Sequence, residues 1–466
     1  MQRAALPIGD KARSMKKREK SQEILARNEK NIPGGVVSLN RKMEPNICFS
    51  RGQGSRVWDV DDNEYIDYQA GFSANFLGHN DPDINEAVVK ALKHQSVLMG
   101  AGPTEWEGEF AELFCKCVPT VDKIQITNTG SEATYCAIRL ARAATGRDDV
   151  IIMQGGYNGW HNDVAANLMS DLKDVGERVS PGEYPFDPIT AGMPSKTRSH
   201  VHAINFNDLA SVEFVAKNHP VACIILEPIL QNIGIVKPQL GYLEGLRKLA
   251  DKYGFLLIFD EVKTGFRHAL GGYQSICGVK PDLSTFGKAV ANGYPLGIIA
   301  GKSQYMDYFI HPDKSKRVLI AGTYNAHPLN VAAGIATLKK LASPQHRVYE
   351  HVRDLGQFYE ESMKEILVDF DQPYHLGREG SAFCLYFMNH APRDYHDIAA
   401  NNNFALDKNY RRGLIELGIF NFPMPIKQGS ISFAHTRKDI EETLEKTEKV
   451  LNEILKRKNA PVAAVK

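Results

Sequence analysis

Short apolar runs alternate with amphipathic segments between residues 123 and 301 of this chain. Seven runs follow one another along the sequence: KIQIT, VIIMQ, VHAIN, CIILEP, LLIFDE, LSTFGK and GIIAG. Continuous apolar strands separated by helices are typical of an α/β fold whose mainly parallel sheet is buried on both faces. The pattern therefore predicts a large domain built on a mainly parallel, seven-stranded sheet.

Polar or glycine residues end each of these runs and indicate where a site is expected. In open sheets of this kind, ligands bind outside the carboxyl ends of the strands. The residues predicted to lie at that edge are Thr129, Glu227, Asp260 and Lys288.

The segments before the sheet predict an N-terminal arm. A polar helix is expected over residues 14–30, and Pro33-Gly34-Gly35 ends it because proline and glycine cannot continue a helix. Aromatic and β-branched residues over 53–68 predict a hairpin that turns at Asp61-Asp62-Asn63.

An amphipathic helix is predicted to close the chain. Thr436 and Asp439 form its capping box, and its apolar positions are Ile440, Leu444, Leu451 and Leu455. We therefore expect a smaller α+β domain beside the large one. The predicted division is an N-terminal arm with part of the small domain over 1–68, the large domain over 69–330 and the rest of the small domain over 331–466.

The amino-acid composition indicates which kinds of binding partner the protein has. The 56 lysines and arginines against 55 aspartates and glutamates give a net charge of +1, so no global field favours nucleic acid or a membrane surface. The apolar windows are far shorter than the roughly 20 residues of a membrane span. The seven cysteines show no CxxC pair and no metal-ligand spacing. We expect a cytoplasmic protein with small-molecule partners, no bound metal, no nucleic acid and no membrane.

Lys288 is the first candidate for chemistry. Most lysines are solvated surface charges, but Lys288 follows the run LSTFG at the end of a predicted strand. Burial disfavours the ammonium form, so a lysine at this place can attack a carbonyl and form a Schiff base.

Asp260 ends the buried run FLLIF, where an unpaired carboxylate is costly. Two partners fit this carboxylate. One is a structural arginine such as Arg267, and the other is the protonated nitrogen of a pyridine ring, which a carboxylate keeps charged so that the ring accepts electrons.

Thr129-Gly130-Ser131-Glu132 joins the KIQIT strand to a helix. The free backbone N–H groups of such a turn can bind a phosphate. The alternative is that Ser131 is an ordinary N-cap residue.

Several motifs together resemble those of one enzyme family. They are ILEP at 225–228, GYLEGLRKLADKYGFLLIFDEVKTGFR at 241–267, PDLSTFGKAVANGYPLG at 281–297 and GTYNAHPLNVAAG at 322–334. In this order they resemble the class III aminotransferases. PGGVVS at 33–38, GPTE at 102–105 and FAHT at 433–436 are most similar to members related to glutamate-1-semialdehyde aminomutase. The resemblance covers about residues 33–455.

The resemblance implies a pyridoxal 5'-phosphate enzyme of fold type I and a homodimer whose two active sites are shared between subunits. Lys288 would carry the cofactor as a Schiff base and Asp260 would pair with its pyridine nitrogen. The other implied cofactor residues are Gly130 and Ser131 at the phosphate, Thr323 from the other subunit, Tyr157 on the ring and Glu227 beside it. Tyr157 as a core aromatic and Thr323 as a loop hydroxyl are the alternatives.

The resemblance also implies that Arg41 binds a substrate carboxylate through two parallel N–H donors. The alternative is a surface arginine beside Lys42. If Arg41 is not in the site, the next cations to consider are Lys427, Arg411 and Arg412.

The sequence departs from the aminomutase pattern at three places. Asn158 stands where relatives often have histidine, Lys427 stands where the aminomutase has a glutamate, and residues 162–196 differ from its gating loop. The predicted reaction is therefore ping-pong transamination between an amino acid or amine donor and a keto acid or aldehyde acceptor. An intramolecular aminomutase or an amino-acid racemase is the alternative on the same scaffold.

Two alternative functions from other classes of protein fit the sequence less well. A ligand-binding protein without catalysis would not need both Lys288 and Asp260. An NAD-binding enzyme would need a GxGxxG motif after a strand, which the sequence lacks.

Overall fold

The structure is a computed structural model that describes residues 17–94 and 102–457. Its first part contains α1 (Glu19–Glu29), β1 (Phe49–Gln53), β2 (Arg56–Asp59), β3 (Glu64–Asp67), α2 (Ala70–Ser73), α3 (Pro82–Lys93) and α4 (Glu105–Cys117). Strands β2 and β3 pair antiparallel, which confirms the predicted hairpin. Helix α1 confirms the predicted polar helix from Glu19 onward, whereas residues 14–16 lie outside the described residues.

The middle of the chain forms the large sheet and its helices. In order these are β4 (Lys123–Thr127), α5 (Gly130–Thr145), β5 (Asp149–Met153), α6 (Leu172–Val175), β6 (Val201–Ile204), α7 (Leu209–Asn218), β7 (Val221–Leu226), α8 (Tyr242–Tyr253), β8 (Leu256–Glu261), α9 (Tyr273–Cys277), β9 (Leu283–Phe286), β10 (Gly297–Gly301), α10 (Ser303–Met306) and α11 (Pro328–Ala342).

The large sheet has seven strands in the order β4-β10-β9-β8-β7-β5-β6. Strands β9, β8, β7, β5 and β6 run parallel to one another, and β10 runs antiparallel to both β4 and β9. The predicted fold, a mainly parallel seven-stranded sheet, is confirmed.

Strand β7 shows why these runs are apolar throughout. Ile224 and Leu226 pack into a core with helices α7 and α8, whereas Cys223 and Ile225 pack on the opposite face with α5. Because successive side chains point to opposite faces, a strand covered by helices on both sides needs an apolar residue at every position.

The last part of the chain contains α12 (Val348–Leu367), β11 (His375–Glu379), β12 (Ala382–Tyr386), α13 (Tyr395–Asn401), α14 (Phe404–Glu416), β13 (Ile419–Phe420), β14 (Gly429–Ser430) and α15 (Arg437–Ile454). One small sheet has the order β1-β2-β3-β13 and joins the two ends of the chain, and another has the order β11-β12-β14.

Helix α15 has the predicted capping box of Thr436 and Asp439, and it packs against α12 and α14. The predicted domain boundary at residues 330/331 falls inside α11, which packs against α3 and α4. The division into domains stays a prediction. Within the described residues, no helix is long and apolar enough to cross a membrane.

Candidate active site

Three titratable residues lie at the carboxyl ends of neighbouring strands. Glu227 follows β7, Asp260 is the fifth residue of β8, and Lys288 lies just beyond β9. Because β7, β8 and β9 are adjacent and parallel, their ends bring the three side chains to one edge of the sheet. This is the edge that the sequence predicted.

Asp260 is 3% exposed, and three donors surround its carboxylate. Asn158 Nδ2 donates at 2.8 Å, the Val262 backbone N–H at 3.0 Å and Thr285 Oγ1 at 3.1 Å. Burial raises the pKa of Asp260, and these hydrogen bonds and Lys288 oppose that rise. A carboxylate has about four acceptor positions, so Asp260 retains capacity for one further N–H donor.

Arg267 is not the partner of Asp260, so that alternative is wrong. Its guanidinium is buried and donates to Ser381 Oγ at 3.3 Å and to the Ser73 carbonyl. The side chain therefore leaves the sheet edge toward α2 and β12.

Lys288 begins a short 3-10 turn, and its backbone has a φ of +48°. Burial lowers the pKa of its amine, whereas the nearby carboxylates of Asp260 and Glu227 act in the opposite direction. The lowered pKa increases the neutral fraction of the amine, which is the form that attacks carbonyls and accepts protons.

The N-terminus of α5 lies at the same edge, after β4. Thr129 is the N-cap: its side chain accepts from the Glu132 N–H at 3.2 Å, and Glu132 Oε2 accepts from the Asn128 N–H at 2.7 Å. The alternative that Ser131 is the N-cap is wrong. Among the described residues, the Gly130 and Ser131 amides take no part in these bonds and so can donate to an anion.

Gly130 is required at its position by space. A Cβ built there would lie 2.7 Å from Val262 Cγ1, and Val262 follows Asp260 by two residues. The helix end therefore approaches the Asp260 strand through a contact that only glycine permits.

Tyr157 connects the α5 end with Glu227. The Ser131 side chain lowers the pKa of the Tyr157 hydroxyl against the larger rise caused by burial, and the Tyr157 backbone N–H donates to Glu227 Oε1 at 3.2 Å. Glu227 is 2% exposed and also accepts from the Gln231 N–H at 3.0 Å. Burial raises the pKa of Glu227 to about 7, and Lys263 opposes this rise.

Two partly buried lysines face Glu227 from different segments of the chain. Lys263 Nζ donates to the Gln231 carbonyl at 2.9 Å, and burial lowers its pKa to about 7. Lys427 Nζ donates to the Asn232 carbonyl at 2.8 Å, and burial lowers its pKa to about 8. For both amines, the Glu227 carboxylate opposes the lowering.

Sequence reasoning missed the roles of Asn158, Thr285 and Lys263. Asn158 was recognised only as a departure from the family pattern. Thr285 carried a usable signal, since it pairs with Asp260 on adjacent parallel strands. Lys263 also carried one, because it lies three residues beyond Asp260 in the same motif.

Two predicted residues lie apart from this group. Thr323 is exposed in the turn of residues 322–325, where Asn325 Oδ1 accepts from Asn128 Nδ2 at 3.0 Å. Arg41 is exposed on the 3-10 turn Leu39–Arg41, and within the described residues its guanidinium has no ion pair. Within the described residues neither side chain forms a hydrogen bond or ion pair with Lys288, and both roles stay predictions.

The donor set fits pyridoxal 5'-phosphate. The spare acceptor position of Asp260 suits a ring N–H, the free amides of α5 suit a phosphate, and the amine of Lys288 suits an aldehyde. With a mainly parallel seven-stranded sheet, this arrangement defines a pyridoxal-phosphate-dependent enzyme of fold type I.

Comparisons with known proteins identify the family. The model of the family "Aminotransferase class-III" matches residues 38–415, so the chain belongs to the class III aminotransferases, which use pyridoxal phosphate. The chain is 36% identical over 443 residues to glutamate-1-semialdehyde 2,1-aminomutase of Syntrophomonas wolfei, covering 94% of this chain and 99% of that protein. It is 38% identical to the enzyme of that name from Desulfatibacillum aliphaticivorans, covering 94% and 100%.

A solved structure gives the same result for the fold. The ω-transaminase from Sphaerobacter thermophilus superposes with a TM-score of 0.85 at 29% identity, covering 93% of this chain and 97% of that one.

Proposed function

We propose that this chain transfers amino groups on pyridoxal phosphate, with Lys288 as the residue that binds the cofactor and moves the proton. The observation that supports this most directly is the buried amine of Lys288 beside Asp260, whose carboxylate is held by three donors.

Bound pyridoxal phosphate supplies an electron sink for the substrate carbon that bears the nitrogen. Asp260 holds a proton at the pyridine nitrogen, and Asn158 and Thr285 fix the carboxylate in place. Lys288 Nζ, once free, accepts the proton from the substrate carbon and donates it at the next position, which is general acid–base catalysis. Gly130 and Ser131 would hold the phosphate, and Tyr157 would hold the ring.

The relatives with similar sequences favour intramolecular transfer over the ping-pong transamination that the sequence predicts. Both relatives named above are glutamate-1-semialdehyde 2,1-aminomutases, at 36% and 38% identity over nearly their whole length. On this reading the chain moves an amino group between two carbons of one substrate.

One observation favours two-substrate transamination instead. Lys427 is a partly buried lysine beside Glu227, in the segment where the resemblance places a glutamate. Replacing an acid by a base at a substrate site changes which substrates bind, because a cation attracts a carboxylate that an acid would repel.

A substrate panel distinguishes the two reactions. Purified protein with bound pyridoxal phosphate is incubated with glutamate-1-semialdehyde alone, and separately with amino acid donors and keto acid or aldehyde acceptors. An aminomutase forms the isomer with the amino group on carbon 1 without an acceptor. A transaminase forms product only when both substrates are present. If neither reaction occurs while Lys288 is covalently labelled, the amino-transfer proposal is wrong.

The proposal includes a homodimer in which Thr323 reaches the phosphate of the partner site. The exposure of Thr323 within the single chain supports this arrangement. All seven cysteines are free, which supports a reducing compartment such as the cytoplasm.

A further inference from the structure

A cluster of imidazoles and carboxylates lies at the opposite edge of the large sheet from Lys288. Asp149 is the first residue of β5, His202 is the second residue of β6, and His219 lies between α7 and β7. Strands β7, β5 and β6 are adjacent and parallel, so all three residues lie at their amino ends. The active-site residues lie at the carboxyl ends, so the cluster is separate from them.

The ligand atoms of this cluster converge. Asp149 Oδ2 lies 3.3 Å from His202 Nε2 and 3.8 Å from His219 Nδ1, and one ligand atom from each of the three residues lies within 4.8 Å of the others. Ligands at about 2.0–2.1 Å from a tetrahedral zinc ion are separated by roughly 3.3 Å. The three residues therefore need only small side-chain movements to bind one ion.

The groups behind these ligands have the arrangement found at metal centres. Glu183 Oε2 accepts from His202 Nδ1 at 2.6 Å, which leaves the Nε2 lone pair directed at the cluster. The other Glu183 oxygen lies 3.7 Å from His219 Nε2, and His200 Nδ1 lies 2.7 Å from Asp149 Oδ1. A carboxylate behind a ligating imidazole fixes its tautomer and increases its basicity toward a metal.

We propose that Asp149, His202 and His219 bind a divalent transition-metal ion such as Zn²⁺, with Glu183 as the residue that orients both imidazoles. Two imidazoles and one carboxylate are a donor set that suits zinc. Asp149 and His202 are buried, whereas the side chains of His219 and Glu183 are 33% and 35% exposed, so an ion reaches the site from solvent. The ion joins the starts of three strands to the segment that carries Glu183.

The proposal is tested by Zn²⁺ binding to the full-length protein with its cofactor, after metal removal with EDTA. His219→Gln removes one ligand from a partly exposed position that tolerates the change. His390→Gln is the matched control, since His390 also pairs with a carboxylate, Asp397 at 2.9 Å, but within the described residues it does not belong to a group of three converging ligands. The cysteines and the cofactor also bind metals. The test therefore compares the Zn²⁺ affinity of each variant with that of the wild-type protein.

We expect one tightly bound Zn²⁺ per chain in the wild-type protein and in His390→Gln, and at least a 10-fold weaker affinity in His219→Gln. Glu183→Gln should lower the affinity about 10- to 100-fold, as loss of an outer carboxylate does at other sites. Substituted Co²⁺ should give the visible absorption of a tetrahedral centre in the wild type and in His390→Gln, but not in His219→Gln. Equal Zn²⁺ affinity in wild type and both site variants overturns the proposal, as does the absence of this Co²⁺ absorption. Glu183→Gln keeps the test decisive if His219→Gln does not fold.

Discussion

At the scale of single residues, Lys288 and Lys263 are two partly buried lysines beside the Glu227 carboxylate, and burial lowers the pKa of both. Of the two, only Lys288 has a pKa that the Asp260 carboxylate raises against the effect of burial. We expect borohydride reduction of the protein with bound cofactor to attach pyridoxal phosphate to Lys288, as mapped by peptide mass spectrometry.

Lys288→Ala should retain pyridoxal phosphate without covalent attachment and lose the transfer reaction almost completely. Loss of the proton-transfer role alone costs about 10² to 10⁴ in rate. Lys263→Met is the matched control. In this variant the cofactor should remain covalently attached to Lys288. A cofactor label on Lys263 in the wild-type protein contradicts the assignment.

Asp260→Asn separates a catalytic from a structural role. Because the pKa of Asp260 is raised, the folded apoprotein holds this proton more tightly than the unfolded chain does, and the resulting stabilisation is lost as pH rises through the folded pKa. Once ionised, the carboxylate is therefore a cost to folding, which asparagine removes.

We expect apo Asp260→Asn to unfold at the same or a higher denaturant concentration than the wild-type apoprotein, whereas its transfer rate falls sharply. Near wild-type turnover would show that Asp260 is a structural acid and that another residue pairs with the pyridine nitrogen.

Lys427 gives the site a pH dependence. Its amine is charged below a pKa of about 8 and neutral above it, so attraction to a substrate carboxylate is lost as pH rises through this value. The KM for carboxylate-bearing substrates should therefore rise above about pH 8. In Lys427→Met this rise should disappear, and KM at pH 7 should be about 10-fold higher or more, since a hydrogen bond to a charged group contributes about 1.5–3 kcal/mol.

Simple amines without a carboxylate should show neither effect. Arg41→Ala tested with the same two substrate types shows which cation binds the acid. If only Arg41→Ala changes the KM for carboxylates, the role of Lys427 is wrong.

At the scale of elements, the N-terminus of α5 packs closely against the Val262 side chain, so a change in one requires a movement of the other. Gly130→Ala places a Cβ 2.7 Å from Val262 Cγ1, so either the helix end or the β8 end must move. We expect weaker binding of pyridoxal phosphate, measured by equilibrium dialysis, together with lower stability. The control is Gly108→Ala in the middle of α4, where a Cβ meets open space. The Gly108→Ala change should leave the stability unchanged or raise it by up to about 1 kcal/mol. Equal cofactor affinity in the Gly130→Ala and Gly108→Ala variants would contradict the role of Gly130.

The elements were largely predictable from sequence, because a strand covered on both faces requires a continuous apolar run. Lys288 and Asp260 were predictable because each ends such a run. The partners of Asp260 were harder to predict: Asn158 lies 102 residues away along the chain, and its side chain reaches the carboxylate only through the folded loop after β5. Lys427 and Lys263 likewise converge on Glu227 from segments whose relative position the sequence pattern does not determine.

At the scale of the whole molecule, the proposed shared site predicts complementation. In a dimer of one Lys288→Ala subunit and one Thr323→Ala subunit, one site has lost both residues and the other has kept both. Random subunit exchange between the two variants makes about half of the dimers mixed, so about a quarter of all sites should become intact, measured as transfer activity and cofactor affinity. If Thr323 acts within its own subunit, the mixture should show no gain over the separate variants.

The antiparallel strand β10 has a consequence for how the protein is made. Within the described residues β4 pairs with β10 alone, and Thr127 meets Gly297 roughly 170 residues later in the chain. At about 5–20 residues per second of synthesis, β4 waits roughly 10–30 s on the ribosome before its partner emerges. During this time KIQIT is an unpaired apolar strand, so the nascent chain has an interval in which chaperone binding or aggregation competes with completion of the sheet.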